Sequence, residues 1–551
     1  MVGRQGVRAL DQATIKGGSN GGNNGGIDGI DLMERAGTAL ADLLDIEIVT
    51  HAAPRLRRAF SQHPRRLLVL AGCGNNGGDG FVVARLLAER GWDVSVALMM
   101  GEPPTTGEAG RNLAVWRESN GRVLADGDDV GGDVLDDVGV DVSVDVVEEA
   151  QAHGLVLDCI FGTGLTREIR GTLAETITAL SEAAVPTIAC DIASGLCADT
   201  GRILGVALRA EATITIGAAK PGLFLGQGPD MCGRIHVVDI GLQPPSEVDG
   251  VLSYGRVLTH DSLAGALEPR ATSFHKGRSG HVVVVAGGQG KRGAAFLAAR
   301  GALRAGAGLV TMALPASAAV GAEAALVEAM TFAAKEDDQG NFSAHAAGQL
   351  LTLCETADAV VIGPGMGLGE GATKVVRELV ARTTCPLVLD ADALNILAGV
   401  RPGLASVLER RRAVGLPEVV LTPHPGEMAR LLGKTSAAIQ DDRLGCAREL
   451  MRATGGVLVL KGAATLIADP DCTAWNTSGN PAMASPGMGD VLAGMIAALQ
   501  AAGKSPTEAA AIAVWAHGRA ADLLYDDIGA PGFLASEVAD TVPSALAELV
   551  S

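Results

Sequence analysis

The stretch KGAATLIADPDCTAWNTSGNPAMASPGMGDVLAGMIAAL, Lys461 to Leu499, decides how the second half of the chain folds. It follows an apolar run, Gly456 to Leu460 (GVLVL), that predicts a buried strand. It ends in Gly487-Met488-Gly489-Asp490, which opens a helical pattern with Leu492, Ile496 and Leu499 along one face. Glycines directly before a helix leave backbone N–H groups free to meet an anion, and the helix dipole favours negative charge there. A carboxylate at the same place repels a static phosphate, so Asp490 needs another reason to be present. One reason is to accept a proton from an attacking hydroxyl while the N–H groups hold the phosphoryl group. An ordinary Asp N-cap explains the residue equally well.

Working outward, 551 residues predict several domains, and 48% hydrophobic residues supply ample core. The net charge of -19 argues against nucleic acid or an anionic membrane as partner. Much of it sits in one acidic segment, Asp126 to Glu149, which has the character of a solvated insertion. Nine cysteines occur without a CxxC pair, so neither a disulfide framework nor a zinc site is indicated. The N-terminus lacks the apolar core of a signal peptide. The longest uncharged run, Ala305 to Ala322, is broken by Gly306, Gly308 and Pro315 and is too polar to span a membrane. A cytoplasmic protein is expected.

In the first half, residues 27 to 45 predict a helix with Leu32, Ala36, Ala39, Leu40 and Leu43 on one side, preceded by a glycine-rich loop, Gly17 to Gly26. Arg66 to Ala71 predicts a strand, Gly72 to Gly80 (GCGNNGGDG) a turn, Phe81 to Gly91 a helix and Val94 to Met100 a second strand. Strand, glycine turn and helix is the usual place for a ligand in a parallel sheet. Gly72, Gly74 and Gly77 satisfy GxGxxG, which alone is weak. NNGGDG is more particular, because two amides and a carboxylate between glycines offer oxygens to a cation and donors to a phosphate. Two further strand ends carry polar residues: Gly154 to Ile160 leads into Gly162 and Gly164 with Asp158 inside it, and Pro186 to Cys190 leads into Asp191 and Ser194. Each carboxylate alone reads as a helix cap; three such ends in succession point to one crevice.

NNGGDG, DCIFGTGL and DIASGLCADTG, with LMERAG upstream, resemble the NAD(P)H-hydrate epimerase family across roughly Arg8 to Leu242. The resemblance implies that Asn75, Asn76, Gly77, Gly78 and Asp79, together with Gly162, Thr163, Gly164, Leu165, Thr166, Arg167 and Glu168, cradle a hydrated dinucleotide. It implies potassium held by Asn76, Asp158 and Ser194, and Asp191 as the acid/base group. Ala193 stands where that family has proline, which loosens the turn carrying Asp191 and Ser194.

After Arg234 to Gly241 the stretch LQPPSEVDG has linker composition, so the boundary is expected at 245/246. Strands are then expected at His281 to Ala286, Ala359 to Ile362, Pro386 to Leu389 and Glu418 to Thr422, with a helix around Val514 to Leu524. No Walker A motif is present. His424, between two prolines, fits a metal ligand, a base or a turn residue, and a substrate contact in a rigid loop is favoured. Asp390 and Asp392 can pair as catalytic carboxylates, although capping the following helix explains at least one of them.

GxGD before a helix resembles the ribokinase-like superfold. HKGRSGHVVVVAGG, IGPGMG, LDADALNIL, TPHPGEMARLLG, KGAAT and GMGDVLAG together resemble the ADP-dependent NAD(P)H-hydrate dehydratases across Arg270 to Leu499. That resemblance implies nucleotide contacts from Lys461, Gly462, Ala463, Ala464, Thr465 and Gly489. It implies contacts to the hydrate from Ala294 or Ala295, Gly365, His424 and the catalytic Asp490. ADP is the implied co-substrate and magnesium the implied ion, with small-molecule partners and a homo-oligomer. The family pattern has glycine where this chain has Ala482 and Pro486.

The expected architecture is a Rossmann-like three-layer α/β/α domain (1–245) followed by a ribokinase-like α/β domain (246–551). The expected function is repair of hydrated NADH and NADPH: epimerisation, then ADP-dependent dehydration of the S epimer. A small-molecule kinase fused to a dinucleotide-binding module uses the same GxGD chemistry and is the alternative. A non-catalytic first half is a third reading, against which Asp158, Asp191 and Ser194 speak.

Overall fold

Segments such as Leu67 to Leu70 and Val282 to Val285 are apolar without alternation and fully buried. Strands of this kind are covered by helices on both faces, as in parallel sheets. The computed structural model describes residues 1–16, 27–50, 54–124, 144–249, 251, 253–269, 272, 276–529 and 532–550. The Gly17 to Gly26 loop and residues 126–143 of the acidic segment lie outside them. Two compact units result, Met1–Gly255 and Arg256–Ser551. The division falls at 255/256 rather than 245/246. Val2 bridges Ser253 and the Tyr254 N–H donates to Met1 O at 3.0 Å, which ties the linker-like stretch back to the first unit.

The first unit holds a seven-stranded sheet in the order β3-β2-β1-β4-β5-β6-β7. Its strands are β1 (Arg66–Ala71), β2 (Asp93–Leu98), β3 (Arg122–Leu124), β4 (Val156–Cys159), β5 (Thr187–Cys190), β6 (Ala212–Ile216) and β7 (Arg234–Val238). All pairings are parallel. This is the Rossmann-like order, with its switch point between β1 and β4, where ligands lie beyond the carboxyl ends of the strands. The helix Gly29–Thr50 buries Leu32, Ala36, Leu40, Ala41 and Leu44, whereas Ala39 and Leu43 are only partly buried, so the apolar face is rotated slightly from the expected one.

The second unit is a ribokinase-like α/β unit built on a ten-stranded sheet in the order β11-β10-β9-β12-β13-β14-β15-β16-β17-β8. The strands are β8 (Arg256–Leu258), β9 (His281–Val285), β10 (Leu309–Pro315), β11 (Met330–Ala334), β12 (Ala359–Ile362), β13 (Leu387–Leu389), β14 (Val419–Leu421), β15 (Val457–Leu460), β16 (Leu466–Ala468) and β17 (Thr473–Asn476). From β11 to β15 the pairing is parallel; β15-β16 and β16-β17 are antiparallel. The stretch after Lys461 thus forms a hairpin before its helix. Its alternation is too short to mark β16 and β17 in the sequence.

The helix Met488–Ala501 is buried along nearly its whole length. It crosses the helix Arg292–Arg304 at backbone contact distance. A Cβ on Gly494 would stand 1.9 Å from Ala298 O, and one on Gly301 would stand 2.2 Å from Val491 O. Two glycines, each facing a carbonyl of the other helix, set this approach, and it fixes where the N-terminus of Met488–Ala501 meets the strand ends. Gly494→Val should therefore cost at least about 1–3 kcal/mol by overpacking. The expected outcome is a lower thermal midpoint for the second unit; an unchanged melt would contradict the close crossing.

Candidate active sites

In the first unit the polar residues collect beyond β1, β4 and β5. The turn after β1 is confined to Gly72, Cys73 and Gly74, and NNGGDG is the opening of the helix Asn75–Glu89. Its glycines serve packing. A Cβ on Gly77 would stand 1.9 Å from Gly72 O, and one on Gly78 would stand 2.6 Å from Met33 Sδ. Asn75 is exposed, while Asn76 and Asp79 are buried one turn apart on the same face. A Cβ on Gly162 would lie 3.3 Å from both the Asn76 amide and Asp191 Oδ2, so these three residues converge. Of the rest of that loop, Leu165 belongs to the apolar core, Glu168 pairs with Arg170 at 3.0 Å, and Thr163, Gly164, Thr166 and Arg167 line its half-buried to exposed edge.

Asp191 follows β5 with φ +67°, a left-handed conformation that a side chain rarely adopts and that marks a constrained site. Its Oδ1 accepts from Ile216 N at 3.1 Å and from Lys220 Nζ. Lys220 is fully buried and also donates to Thr215 Oγ1 at 3.0 Å and Ile216 O at 2.9 Å. Asp158 is completely buried; its carboxylate accepts from Ser194 N (2.8 Å), Ser194 Oγ (2.6 Å) and Ile160 N (3.2 Å). Burial still pushes its pKa up to about 6 against those bonds. Asp79 is driven well above the carboxylate range by burial first, then by Asp191 and Asp11. Asp11, on the helix Arg4–Lys16, is raised to about 6, chiefly by burial. Burial and neighbouring carboxylates thus favour the protonated forms of Asp79 and Asp11.

Lys220 and Asp11 escape sequence reasoning. The signal for Lys220 is a lone lysine in GAAKPG just past the apolar run Ala212 to Ile216, a place where surface lysines are equally common.

In the second unit the candidate side chains sit at the ends of four adjacent strands and at one helix start. Gly487 is the N-cap of Met488–Ala501, with φ +92° and no side-chain cap bond, so Asp490 stands at the third helical position. The N-cap explanation for Asp490 is therefore wrong. Burial first, then Asp390, raise the Asp490 pKa to about 7, with Lys461 opposing and Asp392 and Glu427 adding. Lys461, directly after β15, donates to Asp390 Oδ1 at 2.6 Å, and its nitrogen lies 3.0 Å from where a Cβ on Gly489 would stand. Gly462 and Ala463 are exposed beside it, Ala464 is left-handed at φ +51°, and Thr465 Oγ1 donates to Gly462 O at 3.0 Å. Asp390 and Asp392 do not pair: Asp392 Oδ2 accepts from Gly367 N at 2.8 Å and lies 3.6 Å from Lys291 Nζ.

His424, the last residue of the short loop after β14, is the N-cap of the helix Pro425–Leu432. Its Nδ1 accepts from Gly426 N (3.0 Å) and Glu427 N (3.4 Å), which leaves the proton on Nε2, 3.2 Å from Glu427 Oε1. Burial, Lys461 and Arg430 lower its pKa, so the ring is held neutral and offers a donor. Gly365 has φ +62°; a Cβ there would stand 3.2 Å from Ala294 Cβ. Ala295 is fully buried in the core, so of the two alanines it is Ala294 that faces Gly365. Ala482 is likewise a core residue.

One unit with a Rossmann-like crevice of buried carboxylates, joined to one with a glycine-cradled carboxylate at a helix start, defines a two-domain α/β enzyme. Residues 29–222 match the family described as YjeF-related protein N-terminus, and residues 282–544 match NAD(P)H-hydrate dehydratase. The bifunctional NAD(P)H-hydrate repair enzyme Nnr of Moorella thermoacetica is 38% identical over 526 residues, covering 95% of this chain and 93% of that one. Its namesake from Escherichia coli is 36% identical over 93% of this chain and 92% of that one. Among solved structures, the ADP/ATP-dependent NAD(P)H-hydrate dehydratase from Bacillus subtilis, co-crystallized with ATP/Mg2+, is 30% identical. It covers 54% of this chain and 99% of that chain, with a TM-score of 0.46. The chain belongs to the family of bifunctional NAD(P)H-hydrate repair enzymes. Among the described residues no helix is long and apolar enough to cross a membrane.

Removing Lys220 leaves the Asp191 carboxylate without its cation. Lys220→Met should destabilise the first unit by about 3–5 kcal/mol, the usual cost of breaking a buried pair from one side. Denaturant unfolding of the full chain reads this directly, and a shift below about 1 kcal/mol would show that the pair carries little.

Proposed function

We propose that the first unit interconverts the R and S hydrates of NADH and NADPH, and that the second dehydrates the S epimer at the expense of ADP. The hydrate carries a hydroxyl on a ring carbon next to nitrogen. Hydroxide is a poor leaving group at neutral pH. In the second unit Asp490 takes the hydroxyl proton as its oxygen attacks the β-phosphate of ADP, forming the phosphate ester and releasing AMP. The ring nitrogen then expels phosphate, loss of the neighbouring ring proton restores the double bond, and NAD(P)H results. The observation that carries this reading is Asp490 at the third position of a helix whose first turn also offers backbone N–H groups.

Positioning and electrostatics supply most of such catalysis. Lys461 and Gly489 would meet the nucleotide phosphates. Gly462, Ala463, Ala464 and Thr465 would hold the rest of the nucleotide, and Ala294, Gly365 and the His424 Nε2–H the hydrate. Pro486, exposed just before the helix N-cap, supplies no N–H to this loop. Among the described residues no group of three or more His, Cys, Asp or Glu side chains is arranged to hold a metal ion. Magnesium would therefore enter with the phosphates, where it neutralises charge.

In the first unit, Asp191, kept by Lys220 in a fixed orientation, would move the proton as the carbon bearing the hydroxyl changes face. The loop around Gly162 and the start of Asn75–Glu89 would hold the dinucleotide. Potassium fits Asn76, Asp158 and Ser194. They offer side-chain oxygens with one carboxylate, and the Asn76 Oδ1 lies toward Gly162, 3.3 Å from where a Cβ there would stand. Bound there, the ion would offset the buried Asp158 charge.

Asp490→Asn should abolish ADP-dependent recovery of NADH absorbance while R/S exchange, followed by NMR without ADP, continues. Loss of both activities, or of neither, would refute the assignment. Because Asp490 must be ionised to act and its pKa is about 7, kcat/KM for dehydration should fall about tenfold per pH unit below that value. A flat profile between pH 5 and 8 would contradict it.

A further inference from the structure

Asp390 has no part in the reaction just described, yet it is a carboxylate 1% exposed at the C-terminal end of β13. Both of its side-chain donors, Lys461 Nζ at 2.6 Å and Thr422 Oγ1 at 2.7 Å, converge on the same oxygen, Oδ1. The other oxygen lies 3.8 Å from where a Cβ on Gly489 would stand. The ion pair is thus seated against the first turn of the helix that carries Asp490, one residue away from it. The backbone is bent to bring this about. Ala391 has φ +49° and ψ −117°, a conformation outside the favoured regions for an L-residue. That bend sends Asp390 toward Lys461 and Asp392 the other way, to the Gly367 N–H and Lys291.

Lys461 has three carboxylates within reach of its field. Burial by itself would lower its pKa, and Asp390, Glu427 and Asp490 together outweigh that and raise it. The groups that face Asp490 are Asp390 and Lys461 from the strand ends, Asp392 from the helix Asp392–Gly399 and Glu427 from the helix Pro425–Leu432. Of these, Lys461 is the one cation, and an ammonium that closed onto Asp490 would make it a salt-bridged carboxylate of low basicity. Asp390 competes for that ammonium from a fully buried position with two donors already in place.

We propose that Asp390 is a positioning residue of the dehydration reaction: it ties Lys461 beneath Gly489, keeps the ammonium off Asp490, and leaves Asp490 free to take the substrate's proton. Lys461 is then already aimed at the helix start where a phosphate would lie. The proposal rests on Asp490 acting as the base. It adds that the basicity of Asp490 is set from outside the set of residues that touch the substrate.

The test is the pH profile of kcat/KM for dehydration of the S hydrate with ADP, measured on the full chain. In Asp390→Asn, Asp490 loses a neighbouring charge that raises its pKa and the freed Lys461 pairs with it, so the acid limb should move down by about one pH unit, and by less when Lys461→Met is also present. The plateau rate should fall at least tenfold, because a paired carboxylate is a weaker base. Asp390→Glu should return the limb most of the way. A role confined to structure would lower the rate or the thermal midpoint with the limb unmoved, and that result overturns the proposal. Should Asp390→Asn not fold, Lys461→Met serves in its place: with the ammonium that lowers Asp490 gone and Asp390 left uncompensated, the limb should move upward, and an unmoved limb again overturns the proposal. Activity retained in Asp490→Asn would sink the assignment of the base itself. An inactive Asp490→Asn beside an unmoved limb in Asp390→Asn would sink only the role of Asp390.

Discussion

A carboxylate buried at the end of a parallel strand must be given donors, a cation or a proton, because an unpaired charge there costs several kcal/mol. Both units are organised around that requirement, and they meet it in different ways. Asp158 is given the N–H and hydroxyl of Ser194 and the N–H of Ile160. Asp191 is given Lys220, and Asp390 is given Lys461 and Thr422. Asp79 and Asp490 are given no such partner, and burial leaves their protons on to higher pH. In the second unit that division separates Asp390, held to Lys461, from Asp490, the carboxylate proposed to take the substrate's proton.

The two units reach this arrangement by the same route. A parallel sheet directs every strand's C-terminal end to one edge, so residues far apart in sequence, such as Asp158 and Ser194 or Asp390 and Lys461, become neighbours. The helices then bring in the remaining groups. In the first unit the helix Asn75–Glu89 carries Asn76 and Asp79 on one face. In the second, the glycine-to-carbonyl crossing of Arg292–Arg304 and Met488–Ala501 holds Asp490 at the strand ends. The fusion has a chemical logic: an enzyme that accepts one epimer leaves the other unrepaired unless the two interconvert.

How much of this was legible varies with the range of the interaction that decides it. The strands β1, β9, β12 and β15 announce themselves as short unbroken apolar runs, and the glycines before Met488 announce a helix start. By contrast β16 and β17 are only three and four residues long and are held by pairing with each other and with β15 and β8. NNGGDG looks like a loop because glycine and asparagine disfavour helix; tertiary packing against Gly72 and Met33 overrides that propensity. The same limit applies to Asp390 and Asp392. Adjacent aspartates in DADAL suggest a catalytic pair, and only the bend at Ala391 sends them apart.

The sequence by itself determined which chemistry is available: the order of the strands' glycine and carboxylate ends, the helix-start carboxylate Asp490, and the family to which those motifs belong. It could do so because these features are local, each carried by a few consecutive residues. Tertiary structure alone decided the state of each charged group. Lys220 became the partner of Asp191, Lys461 that of Asp390, His424 a neutral donor at a helix cap, and Asp490 a group titrating near neutrality. Those outcomes depend on burial and on neighbours tens to hundreds of residues away, and no local pattern encodes the distance between two charges.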